Sequence, residues 1–118
     1  MNIAIIVRRL NVKGGTQRQA LNLAQELKRR GHNVVLYTFL LSVRDCYSEL
    51  LEGLKVVDIG SYPGGGMLGD FAENRAARLL AARIDHTTDI LNPHDQAAYK
   101  VAAYFKKHIR KVPSVWMM

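Results

Sequence analysis

Ile3-Ala4-Ile5-Ile6-Val7-Arg8-Arg9-Leu10-Asn11-Val12-Lys13-Gly14-Gly15-Thr16-Gln17-Arg18-Gln19 reads as a strand, a glycine turn and the start of a helix. The opening apolar run, mostly β-branched, has no polar face, which is the pattern of a parallel strand buried on both sides. The run stops at Arg8. Gly14-Gly15 close a short loop, and Thr16 stands where a helix cap belongs, with Gln19 three residues on at capping-box spacing. Such a turn leaves backbone N–H groups unshielded by any Cβ, at the positive end of a helix dipole. A phosphate, or another anionic or polar group, suits it.

Outward from this stretch, the helix shows one apolar stripe, Ala20, Leu21, Ala24 and Leu27. Lys28-Arg29-Arg30 fall in its last turn, where cations suit the dipole, and Gly31 is the stop. Residues 33–39 form the second strand, so the chain opens with a βαβ unit. Residues 46–51 allow a short helix, and 54–59 a third, weaker strand. The Ser61-Tyr62-Pro63-Gly64-Gly65-Gly66 segment cannot hold regular structure. It reads either as a plain surface loop or as a mobile segment beside a site.

Asp70 is placed to cap a helix over residues 71–84. Residues 88–91 form a fourth strand that ends at Asn92-Pro93-His94-Asp95. A last helix spans 96–110, Pro113 breaks it, and 114–118 form a fifth strand. The alternation predicts an α/β, Rossmann-like three-layer fold with a parallel sheet ordered 3-2-1-4-5. Ligands of such sheets bind outside the carboxyl ends of the strands, where the order reverses. Gly14-Gly15 follow strand 1 and His94-Asp95 follow strand 4, so two segments chosen separately meet at one crevice. The residues alone leave plainer roles open. Gly14-Gly15 fit a tight turn, Arg18 a solvated helix position, and His94 a loop histidine, with Asp95 as the cap of the next helix.

A chain of 118 residues with 48% hydrophobic and 23% charged residues is long enough for one domain and ordinary for a soluble one. No apolar run approaches the roughly 20 residues that span a bilayer. No charged region precedes the first apolar run, so it does not read as a signal peptide, and the expected location is the cytoplasm. Cys46 is the only cysteine, which rules out an intrachain disulfide; in its polar setting it is expected to be inert. The net charge of +7 favours anionic partners. Zinc spacing, RNP runs and basic zippers are absent, so no nucleic-acid partner is expected. The dinucleotide fingerprint G-x-G-x-x-G and the acid that should close strand 2 are both missing, since Tyr37-Thr38-Phe39 stands there. No Gly-Lys-Ser/Thr follows strand 1, which excludes a P-loop.

One family does match. The run Arg9-Leu10-Asn11-Val12-Lys13-Gly14-Gly15-Thr16-Gln17-Arg18 and the later Arg30-Gly31-His32-Asn33-Val34 resemble the start of family 4 glycosyltransferases of the GT-B fold. Thr88-Asp89-Ile90-Leu91-Asn92-Pro93-His94 resembles that family's Asp-(apolar)-(apolar)-x-x-His segment, and Val112-Pro113-Ser114-Val115-Trp116 its fifth strand.

The resemblance implies that a sugar moves from a nucleotide-sugar donor to a glycan or lipid-linked acceptor, as in cell-envelope polysaccharide or lipopolysaccharide synthesis. It implies retention and no bound metal or other cofactor, the donor being a substrate. Gly14 and Gly15 would line the cleft, Arg18 would help neutralise phosphate charge, and His94 would lie by the transferred sugar as the candidate catalytic residue, a hydrogen-bond partner. It further implies that residues 1–118 are an incomplete N-terminal, acceptor-side domain, with the donor-binding domain absent. The isolated chain is then expected to be inactive, and to self-associate through the sheet edge after strand 5. The basic helix ends, Lys28-Arg29-Arg30 and Lys106 to Lys111, read as solvated faces or as contacts to an anionic membrane surface at the inner face of the membrane. The alternative function is a free-standing Rossmann-like binding or assembly protein without catalysis.

Overall fold

The computed structural model describes residues 1–63 and 68–116. Its elements are β1 (Asn2–Ile6), β2 (Arg9–Leu10), α1 (Gly15–Arg29), β3 (Asn33–Thr38), β4 (Leu40–Leu41), α2 (Ser48–Leu51), β5 (Lys55–Asp58), α3 (Gly69–Arg83), β6 (Ile90–Pro93) and α4 (Gln96–His108). The strand without a polar face is a central one. β1 pairs in parallel with β3 on one side, Ile3 opposite Val34, and with β6 on the other, Ile3 opposite Ile90. β5 lies outside β3, giving the order β5-β3-β1-β6. That is the expected order 3-2-1-4. Of the segment expected as strand 5, residues 117–118 lie outside the described residues; the rest forms no full strand and lies beside β6, held by a single parallel bridge between Leu91 and Ser114. Leu91 N–H donates to the Pro113 carbonyl at 3.0 Å, and Val115 N–H to the Leu91 carbonyl at 2.9 Å. Proline has no N–H to add to that ladder.

Successive β1 side chains point to opposite faces. Ile3, Ile5 and Val7 pack with Ala20, Leu21 and Ala24 of α1, and with Leu36, Cys46 and Leu51. Ala4 and Ile6 pack with Ala77 and Leu80 of α3 and with Val101 and Phe105 of α4. Each fully buried Leu, Ile or Phe contributes on the order of 1.5–3 kcal/mol. Cys46 is buried in the first of these layers, and burial pushes its thiol pKa up, away from the reactive thiolate.

Helix ends differ from their sequence reading at two places. α1 begins before Thr16: Gly14 is the cap residue, in extended backbone, and its carbonyl accepts Arg18 N–H at 3.0 Å. Thr16 and Gln19 lie inside the helix and no capping box forms. α3 begins at Gly69 with Leu68 as cap residue, so Asp70 lies in the first turn. There its charge suits the dipole, but it makes no cap bond. The other end of α1 follows expectation. Gly31 has a φ of 92°, which a Cβ would disfavour. Its N–H meets the Lys28 carbonyl, and His32 N–H the Leu27 carbonyl, a Schellman pair of bonds. The β2–β4 pair has no sequence signal. It prolongs β1 and β3 past their carboxyl ends, through Phe39 N–H to the Arg8 carbonyl and Ser42 N–H to the Leu10 carbonyl. The triple-glycine stretch 64–66 lies outside the described residues.

Candidate functional site

Three adjacent strands end along one edge: β1 at Val7-Arg8, β3 at Thr38, β6 at Pro93-His94. Two helices begin there, α1 after β1 and α4 after β6. The two walls are joined. His94 N–H donates to the Ile6 carbonyl at 3.0 Å, extending the ladder past β6. Asp95 uses both carboxylate oxygens: one accepts Ala98 N–H at 2.7 Å and caps α4, the other accepts Arg8 N–H at 2.7 Å. The cap read from the sequence is therefore also a tie between the β1 and β6 ends.

His94 is buried, with 6% of its surface exposed. Its Nε2 lies 2.5 Å from Asn92 Oδ1, and Asn92 Nδ2 donates to the Val115 carbonyl at 2.8 Å. Burial pushes the His94 pKa down, and the nearby Asp95 charge opposes this only in part. The ring is neutral at pH 7. Its Nδ1 is buried and meets no hydrogen-bond partner among the described residues.

Two other buried side-chain polar atoms share that state, Arg8 Nε and Thr38 Oγ1. Buried polar groups are normally paired, and each exception needs a cause. All three sit at the carboxyl ends of the three neighbouring strands β3, β1 and β6. This clustering is independent of any motif, and it falls at the switch point where α/β sheets bind ligands.

The other wall is cationic. The guanidinium carbons of Arg8 and Arg9 lie 5.0 and 4.7 Å from the Tyr62 ring centroid, so one aromatic ring gathers two charges. Arg9 Nε donates to Asn11 Oδ1 at 2.6 Å. Gln17 is buried and donates to the Arg9 carbonyl at 3.0 Å, tying α1 to β2. A Cβ on Gly14 would stand 2.3 Å from Gln17 Oε1, so the Gln17 amide would have to move to admit one. Gly15 is exposed, with nothing within 4 Å of a Cβ position. No side chain caps α1 and its first turn holds no acid. Arg18 is exposed one turn in, and makes no ion pair among the described residues.

The structure thus brings Gly14, Gly15 and His94 to one edge, after the neighbouring strands β1 and β6, with Arg18 one turn away. Cavities of about 580, 440 and 390 Å³ lie elsewhere, beside α4, against α3 and at the amino ends of the strands. Among the described residues no group of three His, Cys, Asp or Glu is placed to hold a metal ion. Sequence reasoning missed Arg8, Gln17, Thr38, Asn92 and Tyr62. Thr38 and Asn92 carried a usable signal, as polar residues at the ends of apolar strands.

A parallel sheet in this order, with helices on both faces, defines the class of a Rossmann-like α/β domain. The chain belongs to glycosyltransferase family 4, whose model matches residues 13–118. It is 36% identical over 72 residues to the alpha-1,3/1,6-mannosyltransferase ALG2 of Eremothecium gossypii. That match covers 60% of this chain and 14% of the relative, so the chain spans a small part of that enzyme. Two crystal structures of the C-terminal domain of PF1911 hydrogenase from Pyrococcus furiosus share the fold. One has a TM-score of 0.63 at 15% identity, over 98% of this chain and 89% of that one. The other has 0.66 at 14%, over 99% and 90%. At such identities the likeness speaks for the fold alone.

Proposed function

We propose that the β3–β1–β6 edge is one wall of a glycosyl-transfer cleft. A nucleotide-sugar donor and a glycan or lipid-linked acceptor, as in cell-envelope polysaccharide or lipopolysaccharide synthesis, meet at this wall. The carrying observation is the trio of buried atoms on Arg8, Thr38 and His94 that have no partner among the described residues, beside a start of α1 that no side chain caps. In this reading Gly14 and Gly15 line the donor-phosphate or acceptor side. Arg18 offsets phosphate charge, and His94 takes a sugar hydroxyl. Catalysis of this kind rests on positioning and on electrostatic stabilisation. A single wall supplies only part of either, so residues 1–118 act as the N-terminal, acceptor-side half of the cleft. The test is an amide chemical-shift titration of the labelled chain with GDP-mannose and UDP-glucose. Shifts should gather at residues 7–18, 38 and 92–95 without release of the nucleotide. Absent shifts, or shifts centred on the opposite end of the sheet, reject the assignment.

The two basic helix ends take different roles in this reading. Lys28 is engaged by the Gly53 carbonyl, and Arg29 and Arg30 by Glu26. Lys106, Lys107 and Lys111 instead rim the groove of about 580 Å³, floored by Ala102 and Val112. Exposed Tyr99 and Trp116 stack beside it, ring centroids 5.2 Å apart. Cations around exposed aromatic rings suit an anionic bilayer surface, and we place the protein there, peripheral on the cytoplasmic side. No helix among the described residues is long and apolar enough to cross a membrane. Co-sedimentation with phosphatidylserine vesicles should fall with salt and with Lys106→Glu/Lys111→Glu. Binding that ignores both removes the idea.

A further inference from the structure

The neighbours of His94 decide which of its nitrogens carries the proton. A carbonyl oxygen only accepts, so the end of Asn92 that meets the Val115 carbonyl at 2.8 Å is the amide NH2. The Asn92 oxygen is thereby turned toward His94, 2.5 Å from Nε2. An amide oxygen also only accepts, so Nε2 is the protonated nitrogen. Turning the ring over would put a carbon there and exchange a hydrogen bond for a close contact. With the ring neutral, the lone pair is left on Nδ1, buried and unpartnered among the described residues.

We propose that Asn92, itself held by the Val115 backbone, is a positioning residue that locks His94 in the Nε2–H tautomer. The site then presents a hydrogen-bond acceptor at Nδ1. On the glycosyl-transfer reading, on which this last step rests, its ligand group is a sugar hydroxyl, which donates. Phosphate oxygens, which at neutral pH chiefly accept, are turned away from His94 and left to the cationic wall. The order of the chain supports this division. The segment 113–115, beside β6, holds Asn92 through the Val115 carbonyl and so acts on the His94 side of the edge.

The test is long-range proton–nitrogen correlation spectroscopy of the labelled chain at neutral pH, with the His94 signals assigned by their loss in His94→Gln. A single Nε2–H tautomer is expected. In Asn92→Leu the signature should move to a mixture of tautomers. In Asn92→Asp, which keeps the side-chain shape, a carboxylate faces the ring and His94 should take up its second proton about one pH unit higher or more. An Nδ1–H tautomer or a mixture in the unchanged chain overturns the proposal, and that result needs no variant to fold. An unmoved signature in folded Asn92→Leu overturns it as well. All of this is read without ligand. Failure of the glycosyl-transfer reading shows separately, as absent amide shifts with GDP-mannose.

Discussion

The loops after β1 and after β6 are built to one plan, strand end into helix start, on neighbouring strands, yet they use their helix starts in opposite ways. α4 is closed by its own side chain: Asp95 takes the Ala98 N–H and, with its other oxygen, the Arg8 N–H. α1 is left open, with a glycine as cap residue, no side-chain cap and no acid in the first turn. A helix start with a carboxylate already seated on it, taking one of its N–H donors, is less open to an anion. One left uncapped beside Arg8, Arg9 and Arg18 keeps its positive end for an anion. The β6 loop contributes through the neutral, buried His94 instead. One wall carries the cations Arg8, Arg9 and Arg18, the other the buried neutral His94, which on the proposed reading suits a ligand with a phosphate at one end and a sugar at the other.

The largest expected effect breaks the closed loop. Asp95→Ala removes a helix cap, at about 1 kcal/mol, and leaves Arg8 N–H unpaired, at about 1–3 kcal/mol. Urea unfolding should show a loss of roughly 2–4 kcal/mol, and Asp95→Asn, which keeps one acceptor, an intermediate loss. A change below about 0.5 kcal/mol would mean that Asp95 does not tie the two loops together.

The open loop should respond unequally at its two glycines. Gly14→Ala drives a Cβ against Gln17 and displaces its bond to the Arg9 carbonyl. The cost should be on the order of 1–2 kcal/mol, and smaller in a Gln17→Ala background. Gly15→Ala meets empty space at the first helical position, so it should be neutral or stabilising by up to about 1 kcal/mol. Equal costs at both positions would overturn the division between a glycine required by packing and one left at the surface.

The buried wall carries a pH signature. Burial holds the His94 pKa in the folded chain below its ordinary value, near 6.5, so the unfolded chain binds more protons in between. The stability linked to this ring is fully present above about pH 6.5, and is lost as pH falls through the lowered folded value. For one proton the slope is at most about 1.4 kcal/mol per pH unit. Unfolding from pH 7.5 downward should steepen below about 6.5, and His94→Gln should flatten that limb. An identical slope in the variant would place the ring in contact with water.

Most of the fold was legible because strand period, helix stripe and turn chemistry agree along this chain. Ile3 to Val7 gave a two-sided buried strand, Gly31 the helix stop, and Asp95 the cap, each from local chemistry. The site was legible at its backbone positions and illegible at its side chains. Nothing local says that Gln17 folds back over Gly14, or that Asp95 reaches 87 residues along the chain to Arg8. Such bonds exist only once β1 and β6 lie side by side. The Thr16 capping box failed for a related reason. Gln17 reaches back to the Arg9 carbonyl of β2, and the helix starts at Gly15, before the residue that its own sequence nominates as cap.

Arg18 gives the smallest effect on the fold and the sharpest test of the open loop. It is exposed and makes no ion pair among the described residues, so Arg18→Ala should change stability by no more than about 0.5 kcal/mol. Its Coulomb attraction to a phosphate at the α1 start acts near the surface and is screened by salt. The variant should therefore weaken GDP-mannose shifts at residues 14–18 in low salt, and less so at high salt, while the shifts at 92–95 persist. A uniform loss at both loops would place Arg18 outside the charged wall and make the two loops a single undivided surface. Unchanged shifts would leave the charge of that wall to Arg8 and Arg9 under Tyr62.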